Sequence, residues 1–273
     1  MRAVRFLDAA RSWSVHDIRF SEEVIVLDEN MTTPNRTFRE LSDVSRAVAS
    51  NHLLIDWSEN SEQWSFHQYS IYVSNMAFRL GPTVARLRLG LELLKNNFES
   101  DFQELIDAFE HNISDEAGNG DAKKSHAHLF LKSSRTYSVG VYGFEFQRTS
   151  PLDTTATLHA ESMKIFSSNP YVMLGATVAQ ETHALPQLEH MFKGASRKRD
   201  IFSDEQWHDV SHFYDVHLDG TELRHAEDLN DIVWSLLNTR EKENKFNDGF
   251  DSFIELQSGY WAGLASAVLD RKP

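Results

Sequence analysis

Apolar positions along the chain recur at spacings of three and four over most of its length, the mark of helices with one face turned inward. In "TFRELSDVSRAVASNHLL" Thr37 is placed to cap a helix, Glu40 completes a capping box, and Leu41, Val44 and Val48 follow at helical spacing. "WSFHQYSIYVSNMAFRL" and "GPTVARLRLGLELLKNNF" continue the pattern as two helices broken at Gly81 and Pro82. "SDFQELIDAFEHNI" repeats it after a Ser or Asp cap and runs into the polar, glycine-bearing turn "SDEAGNGDAKKS".

In the second half, "HAHLFLKSSRTYSVGVYGF" suits helix and strand equally by propensity. "DTTATLHAESMKIFSSN" has Asp153 as a cap, and "PYVMLGATVAQETHALPQLEHMFKG" starts at Pro170, a favoured first helical position, and stops near Gly194. "SDEQWHDVSHFYDVHLDGTELRHAEDLNDIVWSLL" reads as one long helix and "FNDGFDSFIELQSGYWAGLASAVL" as the last; near the start, "EEVIVLDE" suggests a short extended stretch. The sum is an all-α bundle of about seven or eight helices. The expected organisation is one domain over 1–273, with 1–60 an N-terminal extension packing on the bundle.

Composition narrows the chemistry. With 273 residues, 41% of them hydrophobic and 25% charged, the chain can bury one substantial core. A formal net charge of -14 argues against nucleic acid and anionic lipid as partners, and the one dense basic cluster, "SRKRD", reads as a solvated loop. No cysteine occurs, which removes disulfides, thiolate metal sites and a cysteine nucleophile together. Any metal must be held by oxygen and nitrogen. No segment is apolar enough for a signal peptide or a membrane span, so a cytoplasmic protein is the default expectation.

Against that background "HFYDVHLDGTELRH", residues 212–225, packs three histidines, two aspartates and a glutamate into one stretch. On a regular helix Glu222 lies about 140° from His217, a poor arrangement for a shared ion. A one-residue insertion, a π-bulge at Gly220, puts His217, Glu222 and His225 on a single stripe, so a bulge between His217 and Glu222 is expected, with Asp219 the alternative carboxylate. Two more places aim ligand-type side chains inward. Glu116 and His126 flank a turn that makes them neighbours, and Glu181 sits among the apolar Leu174, Ala176, Val178 and Ala179. Taken singly each has an ordinary reading: Glu116 pairing with Lys123 or Lys124, His126 capping its helix, Glu181 pairing with an arginine of "RLRL". The conjunction points to a metal centre.

These segments resemble the haem-oxygenase-like di-iron oxidases and oxygenases. "DEAGNGDAKKSH" supplies Glu116 and His126, "AQE" supplies Glu181, and "FYDVH" supplies an aromatic pair followed by His217; the resemblance covers roughly residues 70–265. It departs in the last helix, where Thr221 and Arg224 occupy the strict-spacing positions, so Glu222 and His225 fit only with the insertion. The resemblance implies a haem-oxygenase-like helical bundle and two Fe(II) ions per chain held by Glu116, His126, Glu181, His217, Glu222 and His225. It further implies O2 as co-substrate, an external electron donor and a homodimer, with Glu92 a candidate additional ligand. The implied activity is oxidation of a small molecule, an amino acid or related amine, by N-oxygenation, oxidative C–C cleavage or desaturation-type chemistry in biosynthesis. Arg79, Arg86 and Arg88 lie on the stretch from which a substrate carboxylate would be bound. The alternative is a metal-free or cofactor-free helical binding protein or oxidase of the same fold.

Overall fold

The computed structural model describes residues 36–97, 103–219, 229 and 232–270. "EEVIVLDE" and the rest of the first 35 residues lie outside the described residues. Ten helices have defined bounds: α1 Phe38–Ala49, α2 His52–Asn60, α3 Phe66–Leu80, α4 Thr83–Asn97, α5 Gln103–Glu116, α6 His126–Tyr142, α7 Asp153–Phe166, α8 Pro170–Ser196, α9 Asp204–Leu218 and α10 Arg240–Leu269. The described residues contain no strand, so the all-α expectation holds, with more helices than the seven or eight read from the pattern. The excess arises where polar caps divide runs that periodicity alone joins; Asn51, for example, accepts a hydrogen bond from Leu54 N and starts α2 directly after α1. None of the described helices is long and apolar enough to cross a membrane.

Local signals explain most helix ends. Thr37 with Glu40, Ser65 with Gln68 and Ser203 with Gln206 form reciprocal capping boxes, and Asn169 caps α8 ahead of Pro170. Asp153 is not the cap of α7: Leu152 holds that position. The buried Oδ1 of Asn75 on α3 accepts from Leu152 N at 2.9 Å and Thr155 Oγ1 at 2.6 Å, so a neighbouring helix supplies the oxygen. The helix-or-strand ambiguity of 126–144 resolves as helix because Leu129, Phe130, Ser133, Ser134, Tyr137 and Ser138 are all buried, a three-and-four spacing that only a helix turns to one side.

The reading of 203–237 as one long helix is corrected. α9 ends at Leu218, where Asp219 turns out of helical geometry at φ -73, ψ 2, ahead of Gly220, a helix-stopping dipeptide. Residues 232–236 are helical again, while the expected bulge between His217 and Glu222 falls largely outside the described residues.

α8 and α10 form the axis of the molecule. Val172 and Gly175 lie against Gly249 and Phe246, and His183 lies against Trp261, so the two helices run in the same direction along their contact. The approach is backbone to backbone: a Cβ on Gly249 would overlap the Val172 carbonyl, and one on Gly175 would overlap that of Phe246. Two apolar clusters flank the axis, one around Trp57, Tyr72, Tyr137 and Phe213, the other around Leu87, Phe109, Leu174 and Phe250. α8 changes from one to the other between Ala179 and Ala184, and that is where its polar residues face inward.

The close approach gives a test. Gly249→Ala should lower the unfolding free energy by about 3 kcal/mol, because neither backbone can yield without disturbing the packed helix behind it. Gly259, on the same helix with open space around it, should instead gain about 0.5–1 kcal/mol on substitution by Ala. Urea denaturation of both variants checks the pair.

Candidate metal centre

The turn after α5 brings the first two side chains together. Gly118 and Gly120 have φ values of 86 and 88, and a Cβ on Gly118 would overlap the Asp121 carbonyl, so the reversal is tight. Asn119 clamps it by donating to Asp115 Oδ1 at 2.8 Å. Glu116 at the end of α5 and His126 at the start of α6 thereby meet, Oε1 to Nδ1, at 3.3 Å.

Antiparallel packing of α6 on α9 brings in the third. Ser133 donates to the Val210 carbonyl at 2.6 Å, and seven residues away on each helix His126 meets His217, Nδ1 to Nε2, at 3.0 Å. His217 Nδ1 lies 2.5 Å from the Phe213 carbonyl oxygen. A carbonyl can only accept, so Nδ1 carries the hydrogen. Burial first, then the neighbouring His126, pushes the His217 pKa down to about 4, so the ring is neutral near pH 7 and Nε2 presents a lone pair. A backbone carbonyl fixing one ring nitrogen so that the other faces the site is how metal-binding histidines are oriented.

Glu181 arrives from the centre of α8. It is only 6% exposed, which matters because among the described residues its Oε1 receives amide hydrogens from Asn112 and Gln180, both at 3.3 Å, and no cation. Burial, reinforced by the charge of Glu116, pushes its pKa up to about 7. Burial also opposes ionisation of Glu116, but the hydrogen bond and charge of His126 outweigh it and hold that carboxyl below its ordinary range. One residue beyond Glu181, the carbonyl of Thr182 lacks its helical donor because Pro186 has no N–H.

Glu116, Glu181 and His217 wall a cavity of about 60 Å³ together with Arg79, Arg86 and Gln187, and His126 bridges Glu116 and His217. On its other side Glu181 borders a more apolar cavity of about 130 Å³ beside Phe109, Thr177 and Leu229. Among the described residues no group of three His, Asp or Glu side chains stands ready to hold a metal; Glu116 Oε1, His126 Nδ1 and His217 Nε2 face one another. The donor chemistry nevertheless fits iron: oxygen and nitrogen only, one imidazole in the ligand tautomer and one buried carboxylate with no counter-charge in contact among the described residues.

Glu222 and His225 lie outside the described residues. Asp219 is exposed at the end of α9, and Glu92 is exposed on α4, whose buried positions are Thr83, Arg86, Leu87, Gly90 and Leu94, so the structure turns Glu92 away from the centre. Arg88 is exposed as well, whereas Arg79 and Arg86 reach the cavity. Glu181 does not pair with an arginine of "RLRL": Arg86 instead donates to Gln180 Oε1 at 3.1 Å. Sequence reasoning passed over Asn112, Gln180 and Gln187. The signal for Gln180 and Gln187 was a stripe, Gln180, Glu181, Ala184, Gln187 and Leu188, at the same three-and-four spacing that marks the apolar face; Asn112, on α5, had no such signal.

Comparison with solved structures places the chain in the class of haem-oxygenase-like, all-helical proteins. A domain of unknown function with a heme oxygenase-like fold from Shewanella denitrificans OS217 superposes with a TM-score of 0.60 at 16% identity, covering 86% of this chain and 96% of that one. A CADD-like protein of unknown function from Nostoc punctiforme PCC 73102 gives 0.66 at 20% identity over 85% and 98% of the two chains. A TenA homolog from Pseudomonas syringae pv. tomato str. DC3000 gives 0.65 at 10% identity over 86% and 99%. Residues 58–267 match the family described as a domain of unknown function with a solved structure (DUF3865), and the chain belongs to that family. No curated protein matches it.

The state of Glu181 can be read from stability. Its folded pKa lies above the ordinary value of 4.5, so the fold favours the protonated form, and the penalty for ionisation grows as pH rises from about 4.5 and levels off above about 7. Glu181→Gln in metal-free protein should therefore match the wild type near pH 4.5 and exceed its stability by up to about 3 kcal/mol near pH 8. A difference that does not change with pH would contradict the burial argument.

Proposed function

We propose that this protein is a non-haem di-iron, O2-dependent oxidoreductase acting on a small molecule, an amino acid or related amine. The observation that carries the reading is the His217 ring, oriented by the Phe213 carbonyl, in one cavity with a buried carboxylate that among the described residues is held only by amides. Glu116, His126, Glu181 and His217, with Glu222 and His225 completing the set, would hold two ferrous ions. What such a pair supplies when bound is activation of dioxygen, which no side chain performs unaided.

The chain's own residues have separate tasks in this reading. The Phe213 carbonyl keeps the His217 ring in one tautomer and presents Nε2. His126 Nδ1 holds a proton between Glu116 Oε1 and His217 Nε2, and gives it up when a cation takes that place. Glu181 gives up the proton it retains near neutrality, while the amides of Asn112 and Gln180 hold its carboxylate in position. Leu80, Ala184, Leu188 and Phe213 form the apolar part of the cavity wall and limit water at the reacting centre.

A metal-free binding protein is the second reading. It is favoured by one observation, the mutual hydrogen bonding of Glu116, His126 and His217. Anaerobic titration with ferrous iron followed by admission of oxygen separates the two. The oxidoreductase should take up two irons per chain and show a transient visible absorption; a protein that binds no iron supports the second reading. His217→Ala should cut iron content by half or more while the far-ultraviolet dichroism stays helical. Full loading of that variant would remove His217 from the ligand set.

A further inference from the structure

Arg86 is an anomaly in the cavity wall. Only 4% of it is exposed, yet no carboxylate among the described residues comes within ion-pair distance of its guanidinium. Its Nη2 donates to neutral acceptors, Thr83 Oγ1 at 3.2 Å and Gln180 Oε1 at 3.1 Å, and its Nε has no hydrogen-bond partner among the described residues. Native structures rarely leave a buried donor unpaired, and a buried cation without a counter-ion costs several kcal/mol in general.

The other two arginines of the region are accounted for. Arg88 is exposed to water. Arg79 also reaches the cavity, but its Nε donates to Gln257 Oε1 at 3.0 Å and its guanidinium lies 5.7 Å from the Tyr260 ring centroid and 5.6 Å from that of Trp261. Arg79 adds positive charge beside Arg86 without offering it a partner. Glu116 and Glu181, across the same cavity, compensate Arg86 from a distance only. Once those carboxylates serve cations, that compensation is withdrawn.

We infer that Arg86 is the anion anchor of this cavity and that the natural occupant is a small organic carboxylate seated on the unpaired Nε edge of its guanidinium. The inference rests on the oxidoreductase reading for what happens to the occupant, but not for its binding. A carboxylate satisfies the Nε–H with a charge-assisted bond and neutralises the buried cation, and the fork geometry of arginine suits it where a lysine would not. The anchor also gives the cavity two poles, an anion at α4 and the Glu116, Glu181 and His217 side chains opposite, so that a bound acid is held by one end.

Calorimetric titration tests this with butyrate, hexanoate and norvaline, each against its own carboxamide, on metal-free protein and on protein loaded with ferrous iron under argon. The carboxylates should bind and the carboxamides should bind at least tenfold more weakly or not at all. Arg86→Lys, which keeps the charge but loses the fork, should weaken carboxylate binding by about tenfold, and Arg86→Gln should abolish it. Arg88→Gln should leave it unchanged. In the wild type, an added carboxylate should shift the side-chain Nε–H resonance of Arg86. Equal binding of acids and amides, full affinity in a folded Arg86→Lys variant, or no carboxylate binding in either metal state would overturn the anchor. Iron uptake without carboxylate binding ends this inference and leaves the oxidoreductase reading standing; carboxylate binding without iron uptake does the reverse.

Discussion

Removing ionisable side chains from water at the boundary between two apolar clusters is the constraint on which the rest of this molecule turns. Glu181, Arg86 and His217 are each at least nine-tenths buried. An isolated buried ion costs several kcal/mol, so a native fold must neutralise, pair or ligate each one. These three, and the less buried Glu116 beside them, are each met by a partial measure: His217 is neutral, Glu116 leans on His126, Glu181 retains a proton near neutrality, and Arg86 rests on an amide and a hydroxyl oxygen. Cations between the acids and an anion on the guanidinium would complete all four at once.

The scaffold is built to hold this seam rigidly. Glycines at 175 and 249 let α8 and α10 touch backbone to backbone, which fixes the α8 face carrying Glu181. The serine-lined contact of α6 with α9 sets the two histidines opposite each other, and the left-handed turn at 118–120 delivers Glu116 to the same place. Solved structures only 10–20% identical share the architecture, so the fold is tolerant of sequence.

Most of the helices were legible because burial imposes a period, and caps such as Thr37, Ser65 and Ser203 mark where the period starts. The reading failed where the deciding group lies elsewhere in the chain. Asn75 replaces a local cap for α7, and α9 ends at Leu218 with Asp219 as its cap, where apolar spacing alone would have carried the helix on. The pairing of Glu116 with His126 was legible from the turn between them. The meeting of His126 with His217 was not, because it depends on the register of two helices 91 residues apart in sequence. Arg86 could be singled out from its neighbours only by burial, since Arg79, Arg86 and Arg88 look alike along the chain.

The most direct test of the central claim is anomalous X-ray scattering at the iron edge from crystals of protein loaded anaerobically with ferrous iron. The account predicts two adjacent iron peaks within bonding distance of Glu116, His126, Glu181 and His217. Crystals that show no iron beside Glu181 and His217, with the histidines still bonded to each other, would contradict it.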